Sequence, residues 1–227
     1  MKTLNQYIQE KLIINQLFDE KLIINKDYRD DGLSPKSFDE LRKIIEDRYD
    51  KLGSGTEQNP IDFNDIDVSN IDSFYNRNID KGIFSRTDFK YIDISYWDVS
   101  NVTDMSYMFF ECEELESVGD LSNWDVSNVK SMNSMFFYCA ELKSTGDISK
   151  WDVSNVNDMG NMFECCESFN QDLSSWNISN VTDMDFMFYG CKSFNQDISK
   201  WDVSNVTYAI NMFEKCQIKE EYKPKFK

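Results

Sequence analysis

Apolar residues recur along this chain in two superposed rhythms. From Trp97 a short stretch alternates apolar and polar positions, and then Met105, Met108, Phe109 and Cys112 fall at i, i+3, i+4 and i+7. The same order returns from Trp124, Trp151, Trp176 and Trp201, at intervals of 27, 27, 25 and 25 residues. A worn copy without tryptophan, DFNDIDVSNI at 62–71, aligns with DISYWDVSNV at 93–102. The alternation, as in Leu121, Asn123, Trp124 and Val126, predicts a short strand with one buried face. The helical spacing predicts a short helix or 3-10 turn, with Thr103, Thr182 and Thr207 as N-caps. A unit this small cannot bury its own apolar face, but identical units stacked in a column can. The expected fold class is therefore an α/β repeat. It would be a leucine-rich-repeat-like solenoid of about six 25–27-residue units over residues 61–218, although the usual leucine pattern is absent.

Stacking turns each repeated position into a column. The five tryptophans should form one ladder, the methionines from Met108 to Met212 a second, and the phenylalanines beside them a third. Asn101, Asn128, Asn155, Asn180 and Asn205 recur at the corner between the two halves of each unit, where an amide can bridge successive turns. Residues 1–60 read differently. EKLIIN occurs at 10–15 and again at 20–25, forming two apolar clusters behind Tyr7 and Ile8. From Ser37 a helix is expected: Ser37 and Glu40 fit a capping box, Phe38, Leu41, Ile45 and Leu52 share a face, and Gly53 is a stop. Its expected duty is to cover the exposed end of the first repeat. A docking role for residues 8–25 in a larger assembly is the second reading. Residues 219–227 form a basic C-terminal tail.

Composition narrows the chemistry. There is no histidine, which removes Ser-His-Asp and Cys-His catalysis and every His-ligated metal. The net charge of -17 argues against a nucleic-acid surface, which needs clustered positive charge. Cys112, Cys139, Cys166, Cys191 and Cys216 each follow a repeat methionine by four residues, and no CxxC pair exists. Packed core thiols explain that periodicity better than zinc does; Cys165 breaks the column and is the candidate reactive thiol. Asp98, Asp125, Asp152 and Asp202 recur after the tryptophans. Corner turns are their expected use, with calcium between turns as the alternative. No catalytic residue, cofactor or metal is called for, and the chain is expected not to be an enzyme.

The string WDVSNVTDM…MF…C…FNQDIS resembles the BspA-like repeat, a leucine-rich-repeat relative found in bacterial surface lipoproteins and in some phage and protist proteins. The resemblance implies adhesion or protein binding, without catalysis. The opening residues lack a lipoprotein signal, and their MK…YI…EKLIIN run is similar to that of some phage proteins of gut bacteria. No stretch is long and apolar enough for a membrane span. A cytoplasmic or phage-particle location is therefore expected. The expected function is a protein-binding repeat module that meets its partner through one face of the repeats. The alternative is a structural component of a phage particle or cell envelope docked by the EKLIIN segments; a secreted adhesin ranks below both. Positions that differ between units would select the partner: Ser106, Tyr107, Asn133, Ser134, Gly160, Asn161, Asp185, Phe186, Ile210 and Asn211. Tyr107, Phe186, Tyr189 and Tyr208 are the candidate partner-binding anchors.

Overall fold

The computed structural model describes residues 33–226, and those from Ser34 onward form one compact unit. The EKLIIN segments, and with them the docking assignment to residues 8–25, lie outside the described residues. Helix α1 spans Phe38–Leu52. The Ser37 side chain accepts from Glu40 N at 3.2 Å, and the Glu40 carboxylate reaches back to Lys36 N at 2.7 Å. Gly53 ends the helix at φ +76°, a conformation that costs glycine little. Leu41 and Ile45 are fully buried, whereas Leu52, expected on the same face, is exposed. Arg48 completes the buried stripe. It donates to Asp62 O and grips both carboxylate oxygens of Asp65, at 2.6 and 2.9 Å.

The expected α/β leucine-rich-repeat-like solenoid, with a strand and a helical turn in every unit, is corrected by the structure. Among the described residues there is one α-helix and four two-residue strands: β1 (Ile61–Asp62), β2 (Tyr75–Asn76), β3 (Lys81–Gly82) and β4 (Ile92–Asp93). β1 pairs with β4 in parallel and β2 with β3 antiparallel, giving two small sheets. Two 3-10 helices, Ile148–Lys150 and Glu220–Tyr222, complete the regular structure. All four strands precede Trp97, the start of the first full repeat, so no repeat contains the predicted pair of elements.

The reasons are local. Where a strand was expected, Asp98, Asp125, Asp152 and Asp202 accept from the backbone N–H two residues on, at Ser100, Ser127, Ser154 and Ser204, and bend the chain. Where a helix was expected, Tyr107 and Glu111 sit at φ +58° and +56°, and the same two places have positive φ in every later unit. An L-residue in the left-handed region ends a right-handed helix. Met105 and Met108 are instead the ends of a four-residue turn, as are Phe109 and Cys112, and consecutive turns reproduce the helical spacing. Thr103, Thr182 and Thr207 cap no helix; each hydroxyl donates to a carbonyl of the preceding turn, at Asp72, Asn157 and Thr182.

What joins the units is contact between equivalent positions. Single parallel bridges run Ser73–Asp104–Ser131–Asp158–Asp183–Tyr208, one per unit. Trp124, Trp151 and Trp176 stack at 6.3 Å between centroids, within 8° of parallel. Phe84, Phe109, Phe136, Phe163, Phe188 and Phe213 form a second stacked column with spacings of 5.1–5.9 Å. Each indole N–H donates to a carbonyl of the preceding unit, Trp151 to Leu121 and Trp176 to Ile148, for example. The corner amides do likewise, Asn155 Nδ2 bonding Ser127 O at 2.7 Å.

Trp151→Ala should therefore cost ~3–5 kcal/mol in denaturant unfolding, because it opens a cavity between two neighbouring indoles. Asn155→Ala, at an exposed corner, should cost about 1 kcal/mol, the net worth of one hydrogen bond. Equal losses for the two would contradict an unbroken indole column.

Candidate functional site

Within each unit the methionines, the column phenylalanine and the cysteine turn inward, and Met105, Met108, Phe109 and Cys112 are essentially inaccessible. The pairs between the methionines and after the phenylalanine make up one wall of the stack. In the first full unit these are Ser106–Tyr107 and Phe110–Glu111; in the second, Asn133–Ser134 and Phe137–Tyr138. The second residue of each pair has positive φ. The wall is not uniformly exposed. Ser106 and Ser134, expected among the partner-selecting positions, are buried, and the Ser106 hydroxyl lies 2.8 Å from that of Ser131.

The half-exposed rings on this wall form a continuous cluster. Tyr75 stacks on Tyr107 at 4.9 Å, and Tyr107 tilts against Phe110 at 5.0 Å. Phe110 stacks on Phe137 at 4.7 Å, and Phe137 meets Tyr138 at 5.5 Å. Arg86 lies over Phe110, its guanidinium carbon 5.5 Å from the ring centroid, while its Nε pairs with Glu111 at 2.7 Å. Further along the same wall Phe186 packs edge-on to Tyr189 at 5.9 Å, and the Lys215 ammonium sits 4.7 Å above the Tyr189 ring. Tyr107, Phe186 and Tyr189 thus share one wall, in two groups separated by the unit carrying Asn161 and Glu164. Tyr208 stands apart, at the last rung of the bridge column, and is 57% exposed. Tyr75, Phe110, Phe137 and Tyr138 were not singled out from sequence. The signal was present in the run Phe136-Phe137-Tyr138 and the pair Phe109-Phe110, where only the first ring belongs to the core column.

Electrostatics sharpen the picture. The Tyr75 hydroxyl donates to Asp80 at 2.6 Å, and that bond, aided by desolvation and the nearby negative charge, pushes its pKa up to about 12. Burial raises the Cys165 thiol, and Glu164 and Glu167 raise it further, the reverse of what a reactive cysteine needs. Burial likewise pushes Glu164 and Asp183 upward. In a surface cleft between Tyr91, Asp93 and Lys143, Glu116 lies below the ordinary carboxylate range because Lys143 and Tyr91 both donate to it. No cluster of three or more potential metal ligands occurs among the described residues.

The model of the family described as "Mycoplasma protein of unknown function, DUF285" matches residues 55–146 and 119–224, together more than half of the chain. The chain belongs to this family. No curated protein and no solved structure matches it. In this DUF285 chain the matched residues begin in the loop after α1 and run through the last full repeat into the tail, so the aromatic wall lies wholly within the family's own segment. No helix among the described residues is long and apolar enough to cross a membrane.

Because Tyr75 is neutral to higher pH in the folded chain than in the unfolded one, its hydrogen bond stabilises fully below pH 10. That contribution is lost as pH rises from 10 toward 12. Ultraviolet titration should show one tyrosine ionising near 12, and Asp80→Asn should return it toward 10. A wild-type curve without this late phase would contradict the Tyr75–Asp80 bond.

Proposed function

We propose that this chain is a non-enzymatic protein-binding module whose partner docks on the aromatic wall. The observation that carries the reading is the continuous run Tyr75–Tyr107–Phe110–Phe137–Tyr138, half-exposed on a body whose other repeated side chains are spent on stacking. Rings held in place by their neighbours lose little entropy on binding, and aromatic and arginine side chains dominate the energetics of protein interfaces. The net charge of -17 favours a partner with an apolar centre and a basic rim. The likeness to BspA-like repeats, where adhesion and protein binding are the recurring roles, supports the same class. No catalytic or cofactor role is assigned to any residue. Docking through residues 8–25, or display of the repeats as an adhesin, draws on nothing in the described residues.

Affinity capture with quantitative mass spectrometry tests this with three forms: the full chain, a chain lacking residues 1–32, and the triple variant Tyr107→Ala, Phe110→Ser, Phe137→Ser. The triple variant should lose its partner by about 30-fold or more, the effect of removing one or more interface hot spots of ~2 kcal/mol. The truncated chain should keep it. A partner retained by the triple variant and lost on truncation would move recognition to the N-terminal segment and end the wall reading.

A further inference from the structure

The aromatic wall has a main-chain counterpart that points to a second interaction surface, independent of the side-chain reading above. In each full unit four N–H groups at alternate residues donate to four carbonyls at alternate residues of the next unit. Met105, Tyr107, Phe109 and Glu111 bond Ser131, Asn133, Met135 and Phe137. The pattern repeats without a gap until Met184, Phe186, Phe188 and Gly190 bond Tyr208, Ile210, Met212 and Glu214. The equivalent donors of the last unit, on Ala209, Asn211, Phe213 and Lys215, meet no acceptor among the described residues.

The two ends of this column are treated differently. At its start, Phe84 N and Arg86 N donate to Met108 and Phe110, which places Ile83 and Ser85 in the first register. Their outward carbonyls would be bare, but Arg42 of α1 reaches over them: Nη1 donates to Gly82 O at 2.8 Å and to Ile83 O and Ser85 O at 3.1 Å. At the other end the chain after Cys216 covers the opposite flank. Tyr222 O accepts from Ile198 N, and Asn195 Oδ1 accepts from Lys219 N. Near these donors the ammonium of Lys223, paired with Glu220, lies 5.6 Å from the Phe213 ring, and an ammonium accepts no hydrogen bond from them. Tyr208 and Ile210 beside them are 57% and 58% exposed.

We propose that this C-terminal edge is a docking site for one further turn of the same repeat, supplied by another polypeptide. A row of unpaired N–H groups is a template for main-chain pairing, and the chemistry required is a carbonyl on every second residue. The spacing selects the occupant. A fully extended strand rises about 3.3 Å per residue, whereas the wall closes four-residue turns at Met105–Met108 and Tyr107–Phe110 and has positive φ at every fourth residue. A regular strand outruns the four donors; a segment built like Thr182–Cys191 matches them and sets a phenylalanine against Phe213. A second copy docked by its first unit does not, because Arg42 already occupies the carbonyls it would offer.

Residue-resolved hydrogen exchange on the full chain tests the site, with a synthetic peptide of residues 176–200 as probe and a scrambled peptide as control. In the free chain the amides of Ala209, Asn211, Phe213 and Lys215 should exchange freely while those of Met184, Phe186, Phe188 and Gly190 are protected. The repeat peptide should slow all four by roughly tenfold or more at saturation, as a formed hydrogen bond does, and the scrambled peptide should not. Four amides that stay unprotected at saturating peptide would overturn the proposal. So would protection already present in the free chain: independent of concentration, it means the edge is covered from within; rising with concentration beside a dimer in sedimentation, it means the occupant is a second copy.

Discussion

The main-chain hydrogen bond between one unit and the next is the interaction on which the rest of this structure depends. A backbone polar group taken out of water must be paired, and a unit of turns with neither strand nor helix has few partners of its own. Its N–H and C=O groups are satisfied chiefly by the neighbouring unit, in the same register each time. That register places like on like, so the stacked indoles, the phenylalanine column and the corner amides are consequences of backbone pairing as much as causes of stability. Aromatic pairs then add ~0.5–1.5 kcal/mol each beyond their buried area.

The same constraint separates residues that hold the stack from residues left over for other work. Trp, Met, the column Phe, Cys and the corner Asn each have a partner one unit away. The aspartates after the tryptophans bend the chain at their own corner. On the wall, positions outside the stacked columns carry Tyr107, Phe110, Phe137 and Tyr138 in the first units, Asn161 and Glu164 in the next, and Phe186 and Tyr189 beyond it. The family match, residues 55–146 and 119–224, spans the framework and the aromatic wall alike.

The unit length, the core columns and the capped helix after Ser37 were legible in the sequence because identical residues at a fixed interval leave little freedom in what stacks on what. The path between the columns was not. Asp98-Val99-Ser100 has the alternation of a strand, yet the aspartate carboxylate binds the serine N–H and turns the chain. Met105, Met108, Phe109 and Cys112 have the spacing of a helix, yet Tyr107 and Glu111 adopt positive φ without being glycine or asparagine, the residues that would have announced it. The half-exposed rings on the wall were half legible. Tyr107, Phe186 and Tyr189 stood out as variable aromatics, while Phe110 and Phe137 were hidden by the core phenylalanine immediately before each.

The cysteine column carries a consequence of another kind. Cys112, Cys139, Cys166 and Cys191 each donate their S–H to a carbonyl of the preceding turn, Phe84, Phe109, Phe136 and Phe163, at 2.9–3.1 Å, and burial raises every one of these thiols. A thiol in that position is a structural proton donor. Forming the thiolate would leave a carbonyl bare and a charge in the core, and joining two sulfurs would remove two donors at once. Each disulfide formed within the column would therefore cost the fold two of its core hydrogen bonds.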